Sequence, residues 1–135
     1  MRYRFSDPPR EGWKNYNGSF EVAGVHHRRN DAVDFIRGAI EADNNGWENG
    51  VELVRDRNNP HDPNAIKVVG SYQKKAGFFG RKLKNIEQFI GYVPAGIAAE
   101  LSDRPVQARL ISGHISDNGV VYIKIQPIVK KSKSG

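Results

Sequence analysis

Asn58–Val68 reads NNPHDPNAIKV, and its first seven residues hold three asparagines, two prolines, a histidine and an aspartate. An apolar run begins directly behind them. Pro60 pushes Asn59 towards extended backbone, and Pro63 does the same to Asp62. His61 thus lies between two stiffened peptide units, which lowers the cost of ordering the loop around a ligand. A plain turn needs less. The stretch reads as a rigid polar loop opening onto a strand, AIKVVGSY (65–72).

Outward from that loop, alternation and turn residues divide the rest of the chain. GSFEVAGV (18–25) and VELVRDR (51–57) alternate as strands, and IEQFIGYV (86–93) reads as another. VQARLISGHIS (106–116) and VVYIKIQPIV (120–129) are joined by Asp117-Asn118-Gly119, and Asn-Gly between alternating runs signals a hairpin. HHRRND leads into a helix over 31–41, capped by Asn30 or Asp31. Val33, Ile36 and Ile40 share its apolar face, with Phe35 and Ala39 beside them. PAGIAAELS is a second, short helix with Pro94 at its first turn. QKKAGFFGRKLKN (73–85) reads as a long basic loop, mobile in character. Residues 1–17 read as a loosely held, flexible arm, and 130–135 as a frayed basic tail. The expected fold is mostly β: a small OB-like or SH3-like barrel of about six strands, with two short helices packed on it.

Bulk properties narrow the function classes. A chain of 135 residues suits one domain with a real core. It has no cysteine, which excludes disulfides, thiolate metal sites and a cysteine nucleophile, and which fits a reducing, cytoplasmic setting. No apolar run is long enough to span a bilayer, and MRYRFSDPPREGW lacks the apolar centre of a signal peptide. The net charge of +6 favours polyanionic partners, although a merely solubilising charge accounts for it as well.

GVHHR, then NNPHDPNAIKV, then IGYVP with an alanine-rich helix after it, together resemble the HIRAN domain family over residues 18–129. The resemblance implies an OB-like barrel that binds single-stranded DNA, notably a free 3′-hydroxyl end, as in family members attached to a helicase motor. An arginine and a tyrosine of the family's end-binding site fall on His26 and His27. The motif's aromatic and aspartate fall on His61 and Asp62. Asp62 is kept, whereas His61 replaces a tyrosine, and a family lysine falls at about Pro94 and is missing. No cofactor or resident metal is implied. The implied partners are single-stranded DNA or DNA 3′ ends, with a helicase or nuclease beside them, and no membrane.

The residues carry this chemistry on their own terms. An ionised Asp62 can only accept hydrogen bonds, so it repels a phosphate yet welcomes a terminal hydroxyl. An Asx-turn, in which Asp62 or Asn64 bonds nearby backbone, is the structural alternative. His61 and His27 can stack on a base or donate to a phosphate. Arg28 and Arg29 are phosphate partners or a solvated helix entry. Tyr92 reads as half-buried, with base stacking as its functional alternative. Lys74, Lys75, Arg81 and Lys82, with Lys84, surround Phe78-Phe79, and basic residues interleaved with aromatics suit a single strand. A hairpin tip whose phenylalanines tuck onto the barrel explains that segment equally. Two other classes stay open. His26, His27, His61 and Asp62 would make a metal-dependent nuclease or phosphodiesterase if their loops converged on a metal. A barrel edge or the Phe78-Phe79 loop would take a peptide in a protein-interaction module.

Overall fold

A computed structural model describes residues 1–101 and 104–132. The strands are β1 (Arg2–Arg4), β2 (Trp13–Asn15), β3 (Phe20–Glu21), β4 (Asn49–Arg55), β5 (Ile66–Ala76), β6 (Lys82–Tyr92), β7 (Val106–Ile115) and β8 (Val121–Lys130). Two α-helices, α1 (Arg29–Asn44) and α2 (Ala95–Leu101), complete the fold. All pairing is antiparallel, in a sheet ordered β1-β7-β8-β2 with β3 also on β8, and in a second sheet ordered β4-β5-β6.

Two seams turn these sheets into a barrel. At one, Ala23 and Tyr92 exchange both backbone hydrogen bonds, each 2.8 Å, which joins the end of β3 to β6. Gly91 permits this approach, because a Cβ there would collide with the Ala23 carbonyl. At the other, the Gln107 side chain of β7 replaces a backbone ladder. Its Oε1 accepts from Leu53 N–H of β4 at 3.0 Å, and its Nε2 donates to Leu53 O at 3.4 Å. The circuit β4-β5-β6-β3-β8-β7 is the expected barrel of six strands.

Inside the barrel, Val68 and Tyr72 of β5, Ile90 of β6, Leu110 of β7 and Ile123 and Ile125 of β8 are buried. The α1 helix lies over β5. Phe35 fills the space above Gly70, and the Tyr72 ring fills the space beside Gly38, so a Cβ at either glycine would strike an aromatic ring. The buried stripe of α1 is Ala32, Phe35, Ile36, Ala39 and Ala42. Val33 and Ile40, expected at its centre, lie at the margin, because three alanines let the helix come closer to the sheet on their own side. The expected cap at Asn30 or Asp31 is absent. A 3₁₀ turn over Val25–Arg28 runs straight into α1, so the helix starts at Arg29 with no side-chain cap. The second helix and the β7–β8 hairpin form where expected. In that hairpin Ser116 N–H donates to Val120 O at 2.9 Å, and Gly119 adopts a positive φ of 82°.

The segment expected to be a flexible arm is built into the sheet instead. Arg2–Arg4 pairs with β7, Trp13–Asn15 pairs with β8, and Phe5 is buried in the core. Asp7 fixes the loop between them: its Oδ2 accepts from Leu110 N–H at 2.9 Å, beside the irregular register of β7. Burial raises the Asp7 carboxyl above its ordinary range, against the opposing pull of that bond and of Arg10 and Arg109. Asp43, near the end of α1, accepts from Tyr3 Oη at 2.5 Å and Ser6 Oγ at 2.6 Å. Burial alone would raise the Asp43 carboxyl, but the bonds from Ser6, Tyr3 and Asn49 outweigh it and hold it below the ordinary aspartate range. The expected tail from 130 also begins later. Lys130 is the last residue of β8, Lys131 N–H donates to Gly12 O at 2.8 Å, and residues 133–135 lie outside the described set. No helix among the described residues is long and apolar enough to cross a membrane.

Two stability measurements check this account. Gly91→Ala should lower the unfolding free energy by about 2 kcal/mol or more, since the backbone must move to relieve a collision at the closing bridge. Asp43 has a depressed carboxyl, so its contribution is present above the unfolded-state value of about 3.9 and is lost as pH falls below it. Asp43→Asn should therefore be less stable at neutral pH by about 1 kcal/mol and show a flatter loss of stability below about pH 4. Denaturant titrations at several pH values read both.

Candidate nucleic-acid interface

The register brings one set of residues to a single end of the barrel. Lys67 of β5 lies opposite Tyr92 of β6, and Tyr92 bridges to Ala23. Immediately beyond Ala23, Gly24 takes a positive φ of 73°, and the 3₁₀ turn carries His26, His27 and Arg28 outward. Immediately before Ile66 runs the polar loop, closed by Asp56 N–H donating to Ala65 O at 2.9 Å. The His26-His27 corner, following Ala23, and the His61-Asp62 loop, preceding Ile66, each adjoin the row Ala23–Tyr92–Lys67, which forms a rim.

A stack of side chains forms the floor of this rim. The Arg28 guanidinium lies over the Phe89 ring at 3.6 Å from its centroid, and Lys67 Nζ lies 5.1 Å from the same ring. Phe89 meets Tyr92 edge to face at 5.2 Å. Phe89 and Tyr92 are three positions apart and would point to opposite faces of a regular strand. The register of β6 jumps from Gly91, opposite Val68, to Phe89, opposite Val69, so Ile90 is an extra residue. This bulge turns both rings to one side, as bulges re-aim side chains. Phe89 and Lys67 were not among the expected site residues. Tyr92 is half-buried, as expected, and supports Phe89.

The His26 and His27 rings are exposed and lie 3.9 Å apart at a 41° tilt. Arg29 faces elsewhere: its Nε donates to Gly119 O at 2.9 Å, pinning the β7–β8 turn to the start of α1. Across the rim, Asn59 Oδ1 accepts from His61 N–H at 2.9 Å and from Asp62 N–H at 3.1 Å. Asp62 Oδ1 accepts from Asn64 N–H at 2.9 Å. The Asx-turns weighed for this loop thus exist, centred on Asn59 and Asp62, and Asn64 serves as a donor. They also hold the Asp62 carboxylate still. One of its oxygens is engaged, and no protein hydrogen bond reaches Oδ2 among the described residues. The exposed His61 ring is carried beside it.

A family model for the HIRAN domain matches residues 17–124. The chain belongs to the HIRAN domain family. HIRAN is a DNA-binding domain family, and this chain is accordingly a DNA-binding module. No curated protein and no solved structure matches it. The strands β1 and β2 of this HIRAN domain precede the matched region, and β8 runs beyond it.

The remaining expected residues lie at the far end of the β5–β6 ribbon. Lys74, Lys75, Arg81 and Lys82 flank a turn over Gly77–Gly80, about 30 Å from Lys67 at 3.3 Å per residue. The supposed mobile loop is a paired hairpin, with Lys74 opposite Lys84 and Ala76 opposite Lys82. Its phenylalanines do not tuck onto the barrel, since Phe78 is 87% and Phe79 85% exposed. The expected site is in fact two clusters. The hydrolase alternative finds no support in their geometry: no three His, Cys, Asp or Glu side chains gather into a metal-holding group among the described residues.

The stacked arginine gives a test of the rim. Arg28→Ala should weaken DNA binding about fivefold to tenfold and reduce the slope of log affinity against log salt by about one. Phe89→Leu keeps the charge and frees the guanidinium, so affinity should fall with the slope unchanged. Anisotropy titrations at three salt concentrations separate the two outcomes.

Proposed function

We propose that this HIRAN domain is a non-catalytic module that binds single-stranded DNA at its 3′-hydroxyl end, using the rim formed by the His26-His27 corner and the His61-Asp62 loop. The observation that carries the reading is the Asp62 carboxylate. It accepts one bond from Asn64 N–H, no protein bond reaches its Oδ2 among the described residues, and its loop leads into the strand that carries Lys67, which with Arg28 lies over Phe89. Cations there attract the phosphates of the strand, while a fixed carboxylate selects the group at its end. A terminal hydroxyl donates to Oδ2. A terminal phosphate is mostly dianionic at neutral pH and is repelled by it.

The histidines extend the same logic. His61 replaces the family's tyrosine but still offers a flat ring to the terminal base, and His26 and His27 can donate to the adjacent phosphates. The lysines and arginine of the β5–β6 hairpin provide a second, sequence-independent attraction for the backbone. Such a module would bring a helicase or nuclease partner to a DNA end in repair or replication-linked processes, in the cytoplasm.

The test compares one oligonucleotide with a 3′-hydroxyl and with a 3′-phosphate. A hydrogen bond to a charged acceptor contributes about 1.5–3 kcal/mol, so the hydroxyl form should bind about tenfold to a hundredfold more tightly. Asp62→Asn is the informative variant, because an amide oxygen can keep the Asx-turn to Asn64 while removing the charge. It should narrow the gap between the two ligands. His61→Ala should weaken both alike. Equal binding of the two forms by the wild type would refute end recognition and leave the loop a structural turn.

A further inference from the structure

The tip of the β5–β6 hairpin is built unlike the rim. Beyond the pair Tyr72–Ile86 the ribbon leaves the core, and its pairs continue through Gln73–Asn85, Lys74–Lys84, Lys75–Leu83 and Ala76–Lys82. Leu83 is 46% exposed, and Lys74, Lys75, Lys82 and Lys84 are exposed as well. At the end, Gly80 N–H donates to Gly77 O at 3.3 Å, closing a tight turn. Phe79 sits inside it at φ 64°, in the left-handed region, which is a strained conformation for an aromatic residue. Its effect is to present two phenylalanine rings to solvent side by side, edge to face at 72° with centroids 5.3 Å apart.

Folding alone gives no reason for this arrangement. Apart from each other and Arg81, 5.9 Å from the Phe79 centroid, the rings have little cover, and Lys74 faces Lys84 directly across the ribbon, a like-charge pairing that costs stability. Both features make sense against a polyanion with an apolar interior. Duplex DNA is such a polymer, with charged phosphates outside and stacked bases within. A two-stranded ribbon fits its major groove, and phenylalanine wedges are inserted between base steps by proteins that unstack DNA. The rings crown a narrow ribbon and are mutually tilted, so they form a compact knob rather than a row of flat platforms beneath successive bases.

We propose that the β5–β6 hairpin is a wedge that inserts Phe78 and Phe79 into a base step of duplex DNA at its junction with a single strand. Lys74, Lys82 and Lys84 hold the flanking phosphates. This rests on the proposed end-binding function and adds a second DNA class, the duplex, at a separate place. The wedge lies about 30 Å from the rim along β5, so the domain spans a junction while holding its 3′ tail.

The experiment uses a duplex with a single-stranded 3′ tail, carrying 2-aminopurine at the junction, and a free strand of about four nucleotides. The variant is Phe78→Ser with Phe79→Asn, since asparagine accepts the left-handed conformation and both positions are exposed. Wild type should brighten the 2-aminopurine by unstacking it. The variant should lose that signal and bind the tailed duplex about tenfold more weakly, with its Kd for the short strand unchanged. Brightening that persists in the variant, or equal Kd values for the tailed duplex, overturns the wedge. An equal loss on the short strand also overturns it, because the rings then serve single bases. Binding of wild type, but not the variant, to phosphatidylserine vesicles, with duplex binding unaffected, reassigns the tip to a membrane. Failure of wild type to bind any of these DNAs refutes the end-binding function, and the wedge with it.

Discussion

The paired hydrogen bonds between Ala23 and Tyr92 hold this molecule in its working shape. They are two bonds between one residue on each side, yet they join the three-stranded sheet to the five-stranded one. They also place the 3₁₀ turn that follows Ala23 against the ribbon that carries Phe89 and Tyr92. Without them, the 3₁₀ turn would lose its backbone tie to the ribbon and Arg28 its place over the Phe89 ring. The requirement for glycine at position 91 follows from the same contact, because the Ala23 carbonyl occupies the space a side chain would need.

Charge is distributed to suit the geometry. One end of β5 carries the hydrogen-bonded Asp62 loop beside Lys67, and there Arg28 and Lys67 lie over the Phe89 ring. The far hairpin carries cations and exposed rings on a paired ribbon. The β5 strand joins the two and sets their separation.

Much of the barrel is legible in the sequence, for identifiable reasons. Val121, Ile123 and Ile125 alternate with Tyr122 and Lys124, and Asn118-Gly119 marks the turn before them, so the β7–β8 hairpin needs no tertiary information. The short strands are different. Arg2–Arg4 and Trp13–Asn15 have too few residues to show a period, and only their partners on β7 and β8 make them strands. The outer half of the β5–β6 ribbon is rich in lysine and glycine and shows no alternating apolar face, so its composition resembles that of a loop. The polar loop and the histidine corner could be named from sequence, with the family motif as guide. Phe89 could not, because FIGY looks like an ordinary strand end until Ile90 is seen to bulge. Asp62 was visible as an acceptor, but only the structure shows which of its oxygens is engaged.

The Gln107 amide at the opposite seam has a consequence for solubility. Where a side chain substitutes for a ladder, the neighbouring strand keeps an edge that another chain can extend. Here β4 is that edge, with its apolar residues Val51 and Leu53 buried behind it. Gln107 occupies the Leu53 peptide group from both sides and blocks a foreign strand from pairing there. One amide on β7 thus covers the middle of an otherwise open edge, and the seam closes without a continuous hydrogen-bonded wall.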